Sequence, residues 1–146
     1  MNTDKDKRIN TELLYSDITY KIRGAMMDVS NKYGKGLKEV VYQNALAEAF
    51  MQRGLKFEKE KRITIHSVDT GKVLGYYTPD YIVEQKIIVE LKASDFTSRQ
   101  NVGQELSYLK ASKYEVGFLV NFNTPKLDIK RLIYTNDRKP AIRVNP

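Results

Sequence analysis

The sequence predicts an α/β fold with the element order helix, helix, three strands, helix, two strands. Three observations carry this expectation. Apolar residues recur at spacings of three and four between Glu12 and Tyr33, and again between Leu37 and Arg53, as in helices buried along one side. Tyr76 to Lys92 contains two runs rich in Ile, Val and Tyr around the polar break Glu84-Gln85-Lys86, which reads as a β-hairpin. Val116 to Asn121 is a short apolar run of the kind found in the middle of a sheet.

The first helix carries Leu14, Ile18, Ile22, Met26, Val29 and Tyr33, and Gly34-Lys35-Gly36 ends it. The second presents Leu37, Val41, Ala45 and Ala49 as one stripe, widened by Leu46 and Phe50, and stops at Gly54. Residues 55–66 are expected to form one strand with an exposed or bulged middle, Glu58 to Arg62. Asp69-Thr70-Gly71-Lys72 is a turn, and the strand from Val73 leads into the hairpin. Thr97 and Gln100 read as a capping box opening a helix to about Ser112, with Val102, Leu106 and Leu109 facing the core. The strand Val116 to Asn121, a turn at Asn123-Thr124-Pro125 and a last strand Ile129 to Thr135 complete the order. Residues 1–146 are expected to form one domain, with residues 1–11 and 136–146 as loose polar tails.

Composition removes several chemistries. The chain has no cysteine, so thiol catalysis, disulfides and cysteine-based zinc sites are excluded. The lone His66 cannot build a histidine-rich metal site, and its place late in Ile63-Thr64-Ile65-His66 suggests an edge or surface residue. Lys and Arg number 25 against 18 Asp and Glu, and the net charge of +7 is consistent with a polyanionic partner. No stretch of about 18 apolar residues is present, and the N-terminus lacks the apolar core of a secretory signal. A cytoplasmic protein with no membrane partner is the expectation.

The hairpin holds the densest chemistry. Side chains alternate along a strand, so Ile88, Glu90 and Lys92 share one face and Val89 and Leu91 the other. With the turn centred on Gln85, Asp80 falls opposite Glu90, and Thr78 opposite Lys92. Directly opposed Cβ atoms lie about 4.5–5.5 Å apart. Two carboxylates and an ammonium group then converge on one patch, which suits a hard divalent cation held by oxygen. Polar residues on a solvated sheet face are the bland alternative. Against it, the flanking residues are nearly all apolar or aromatic, and buried charges need partners or a metal.

Pro79-Asp80, followed after nine residues by Glu90-Leu91-Lys92, resembles the signature of the PD-(D/E)XK nuclease superfamily. Gly36-Leu37-Lys38-Glu39-Val40-Val41-Tyr42 reads G-x-x-E-x-x-Y and is similar to the GxxExxY branch of that superfamily. Glu39 and Tyr42 are three apart, hence on one helical face, although an acid in a first helical turn also suits the helix dipole. Gln104-x-x-x-Tyr108, after the Glu-x-Lys strand, resembles the Gln-x-x-x-Tyr motif of nucleases such as lambda exonuclease and the RecB nuclease domains. These two residues can also be read as an ordinary polar helix face turned from the core stripe. The resemblance covers about residues 14–135 and extends to Gly117 to Phe122 and to Lys130-Arg131.

The resemblance implies a restriction-endonuclease-like fold, a mixed central sheet of four to five strands flanked by helices. It implies a metal-dependent nuclease acting on DNA with Mg2+ or Mn2+. Asp80 and Glu90 are then metal ligands, joined by the backbone carbonyl of Leu91 and by Glu39, directly or through water. Lys92 would orient or deprotonate the attacking water or stabilise the charged phosphate; beside carboxylates the electrostatic role is the expected one. Gln104, Tyr108 and Tyr42 would position substrate or site residues. The alternative is a non-catalytic nucleic-acid-binding module or a subunit of a larger DNA-processing assembly. The oligomeric state is open, with a homodimer one option.

Overall fold

The computed structural model of the protein describes residues 15–135. The element order is α1 (Ser16–Tyr33), α2 (Glu39–Gln52), β1 (Phe57–Lys59), β2 (Ile63–His66), β3 (Val73–Tyr77), β4 (Tyr81–Val83), β5 (Ile87–Lys92), α3 (Arg99–Ala111), β6 (Val116–Asn121) and β7 (Asp128–Ile133). A mixed five-stranded sheet runs β1-β4-β5-β6-β7, and β2 and β3 form a separate two-stranded arm. Among the described strands only the β5–β6 pair is parallel, with α3 as its crossover. This is the mixed, helix-flanked sheet that the sequence predicts. No helix among the described residues is long and apolar enough to cross a membrane.

Strand parity divides the core. Ile87, Val89 and Leu91 of β5 pack with Val116, Phe118 and Val120 of β6 against Ile22 and Met26 of α1 and Leu46 and Phe50 of α2. The other face of β5 carries Ile88, which packs with Ile82, Leu109 and Tyr114 under α3. Arg53 clamps the two helices on the first face: its Nε and Nη2 donate to Asp28 Oδ2 and Oδ1 at 2.8 and 3.1 Å. Gly24 leaves the room this side chain takes, since a Cβ there would lie 2.3 Å from the Arg53 guanidinium.

Five expectations are corrected. The run 55–66 is two strands in different sheets, and Glu60, with φ of 52°, turns the chain between them. β3 does not continue into the hairpin, because Thr78 and Pro79 interrupt it and proline has no N–H for a ladder. In α2 the buried residues are Tyr42, Leu46, Ala49 and Phe50, while Val41 is exposed and Leu37 lies before the helix, also exposed. In α3 the N-cap is Ser98, whose Oγ accepts from Asn101 N at 3.0 Å, because Thr97 Oγ1 is taken by Asn121 Nδ2 at 3.1 Å. That helix turns Glu105 and Leu109 inward and leaves Leu106 37% exposed. The tails and Leu14 lie outside the described residues.

Candidate active site

The hairpin register is the one that the turn at Gln85 requires. Tyr81 pairs with Val89, Ile82 with Ile88 and Val83 with Ile87. Glu84 and Gln85 both take positive φ, 54° and 58°, and Lys86 N donates to Val83 O at 3.0 Å, a tight turn whose twist matches the strands. Asp80 immediately precedes β4 and therefore meets Glu90 in the middle of β5. Asp80 N donates to Glu90 Oε1 at 3.2 Å, and Leu91 N donates to Asp80 Oδ2 at 2.8 Å. Glu90 is thus held by the backbone of Asp80, and Asp80 by the backbone of Leu91, the residue after Glu90.

Two side chains that the sequence reading did not single out complete the locking. Gln43, one turn along α2 from Glu39, donates through Nε2 to Asp80 Oδ1 at 3.0 Å. Tyr81 holds that turn of α2 by donating its hydroxyl to the Gln43 carbonyl. Tyr77, at the end of β3, donates its hydroxyl to Glu90 Oε1 at 2.8 Å. Burial raises the Tyr77 hydroxyl above its ordinary range, so it remains a donor. Its ring stacks on Tyr108 of α3, with centroids 3.9 Å apart and planes 3° from parallel. The stack ties α3 to the residue that holds Glu90.

Lys92 shares the Glu90 face at the end of β5, paired in register with Asn121. Asn121 fastens the loop after Lys92, accepting from Ser94 N at 3.2 Å and donating to Ser94 Oγ at 3.1 Å. Glu39 is the first residue of α2, and both Lys92 and Asp80 act on its charge. Tyr42 has a different place. It is fully buried, stacks on Phe122 at 4.8 Å, donates to Gly34 O at 2.7 Å and accepts from Leu37 N at 3.3 Å. It shapes the loop that delivers Glu39 and does not face the open site. The Leu91 side chain lies in the core. Gln104 and Tyr108 line a pocket of about 260 Å³ with Glu90 and Lys92.

The electrostatics follow from crowding. Burial raises the Asp80 carboxyl above its ordinary value, against the Leu91 and Gln43 hydrogen bonds and the charge of Lys92. Burial, then the charge of Asp80, pushes Glu90 up to about 7. Burial raises Glu39 too, with Lys92 opposing. A fourth acid, Glu105, sits on the same side of the sheet. Burial, then Glu90 and Asp80, raises it well above the ordinary glutamate value.

Carboxylates that repel one another in a half-buried cluster fit a divalent cation, and an oxygen-only donor set suits Mg2+ or Mn2+. Among the described residues, no three carboxylate or histidine side chains already meet around one point. Asp80 and Glu90 would therefore hold the ion with backbone carbonyl or water in the remaining positions, which is how Mg2+ is usually bound. A larger groove of about 730 Å³ is lined by Lys56, Lys61, Lys86 and Lys113 with Glu58 and Glu84. It contains neither Asp80 nor Glu90, whereas the smaller pocket includes Glu90 and Lys92.

The family model described as "PD-(D/E)XK nuclease superfamily" matches residues 16–132. No curated protein matches. A solved structure described as "Crystal structure of SSO0001" is similar at 22% identity and a TM-score of 0.49, covering 67% of this chain and 51% of that one. This chain thus spans about half the length of that structure.

Proposed function

Because the chain belongs to the PD-(D/E)XK nuclease superfamily, we propose that it hydrolyses DNA phosphodiester bonds with Mg2+ or Mn2+ at Asp80, Glu90 and Lys92. The observation that carries this reading is the pair of hydrogen bonds, Asp80 N to Glu90 and Leu91 N to Asp80, that holds the two acids together between β4 and β5, with Lys92 on the Glu90 face. A bound divalent cation supplies a lowered water pKa and neutralises charge at phosphorus. Asp80 and Glu90 would hold it, with the Leu91 carbonyl and Glu39 as further donors. Lys92 presents positive charge to the phosphate oxygens as they gain charge. Gln43 and Tyr77 keep the two acids in place, and Tyr108 keeps Tyr77 in place.

DNA as the substrate is supported by the net charge of +7 and by the groove of four lysines. Arg62 lies over the ring of Tyr76, 4.0 Å from its centroid, and Tyr76 lines the rim of the smaller pocket. A cation beside an exposed aromatic ring suits an unstacked nucleotide. Gly36, Glu39 and Tyr42 support placing the chain in the GxxExxY branch. The test is incubation of single-stranded, double-stranded and branched DNA with Mg2+, Mn2+ or EDTA. Cleavage of at least one substrate in metal and none in EDTA is expected. Intact DNA in every metal condition would refute the reading.

A further inference from the structure

We propose that Glu105 is a further acidic residue of this site and that, together with Glu90, it holds a second divalent cation. The inference rests on the metal-dependent reading above. Glu105 is only 3% exposed, and neither of its carboxylate oxygens has a hydrogen-bond partner among the described residues. A buried carboxylate without a partner is unfavourable unless a proton or a cation meets it. Glu105 nevertheless lines the same pocket as Glu90 and Lys92.

The fold makes room for this group. Gly117 lies in β6 in register with Ile88, two residues before Glu90 on the same face of β5. A Cβ on Gly117 would stand 2.8 Å from Glu105 Oε1, so the carboxyl occupies the space that any other residue would fill. Leu106, the neighbouring apolar residue of α3, is left 37% exposed while the glutamate goes inward.

Charge balance points the same way. The Lys92 ammonium acts on four carboxylates, those of Glu39, Asp80, Glu90 and Glu105. Fully ionised, the cluster holds three net negative charges. One divalent cation leaves it negative, and a phosphodiester would then add to the repulsion. Two divalent cations and one phosphodiester bring the filled site to neutrality. Glu105, which no other described group satisfies, is the donor available for the second ion.

The experiment counts Mn2+ bound by the full chain, using calorimetric titration and electron paramagnetic resonance of free Mn2+. Wild type is expected to bind about two ions. Glu105→Gln is nearly isosteric and should bind about one, with the tighter site kept. Gly117→Ala changes no charge, displaces the Glu105 carboxyl and should lose the same ion; if Glu105→Gln does not fold, this variant decides. Wild type binding a single ion, or a folded Glu105→Gln that still binds the wild-type number, overturns the inference. In that second case a shifted melting temperature with an unchanged count would mark a merely structural acid. Wild type binding no Mn2+ at all would overturn the metal-dependent nuclease reading with it, and that result is distinct from a count of one.

Discussion

Glu90→Gln should stabilise the metal-free protein, and the size of the effect follows from the site. Glutamine keeps an oxygen that can accept from both Tyr77 Oη and Asp80 N, the two bonds that Glu90 Oε1 accepts at 2.8 and 3.2 Å. The substitution therefore removes charge with little loss of geometry. Glu90 rises from 4.5 to about 7 in the folded chain, first through burial and then through Asp80. The folded state thus holds the Glu90 proton more tightly than the unfolded chain. Its stabilising contribution is complete below about 4.5 and is lost as pH rises to about 7. At about 1.4 kcal/mol per pH unit, the ionised site is disfavoured by up to about 3 kcal/mol. The pocket admits solvent, so about 1–3 kcal/mol is the working range. At roughly 2–4 °C per kcal/mol, Glu90→Gln should melt about 2–12 °C above wild type at pH 8 in EDTA. The gap should close towards pH 4.5. Saturating Mn2+ adds about 2.7 kcal/mol to wild type at a hundredfold excess over Kd and less to the variant, narrowing or reversing the order. Thermal melts across pH, in EDTA and in Mn2+, decide the matter. A variant less stable than wild type at pH 8 in EDTA, or a gap that does not change with pH, would refute the reasoning.

Other predictions follow from the supports of the two acids. Tyr108→Ala removes the ring stacked on Tyr77 and should lower cleavage about 10–100-fold, while Tyr108→Phe keeps the ring and stays near wild type; equal loss in both would assign the hydroxyl a direct role. Gln43→Ala frees Asp80 Oδ1 and should weaken Mn2+ binding about 10-fold or more by titration; unchanged affinity would mean that Gln43 serves only the fold. DNA affinity should fall linearly with salt on logarithmic axes, and charge reversal of Lys86 and Lys113 should flatten that slope; a flat wild-type slope would argue against phosphate contacts.

What was legible in the sequence was local. Alternation along Ile87 to Lys92 and one turn at Gln85 suffice to bring Asp80 opposite Glu90, because a two-sided strand allows no slip without moving every apolar residue to the wrong face. The long-range partners carried no such signal. Gln43 reaches Asp80 across 37 residues, and nothing in its own stretch marks it. Glu105 was hidden by an average rule: hydropathy turns Leu106 inward, but a glycine on the facing strand decides otherwise. Tyr42 shares a helical face with Glu39, yet only Glu39 sits at the helix end that opens to the site. The run 55–66 misled because its apolar residues share a parity, whereas the left-handed residue Glu60 sends its two ends to different sheets.

The most direct test of the account is cleavage of labelled DNA by wild type and Lys92→Ala in Mn2+, with Mn2+ binding measured on the same samples. Lys92 is placed as the positive charge at the scissile phosphate and not as a ligand. The account predicts metal-dependent cleavage by wild type, a loss of at least about 100-fold in the variant, and Mn2+ binding retained by both. Equal cleavage by the two proteins, or no cleavage by wild type on any DNA despite bound Mn2+, would contradict it.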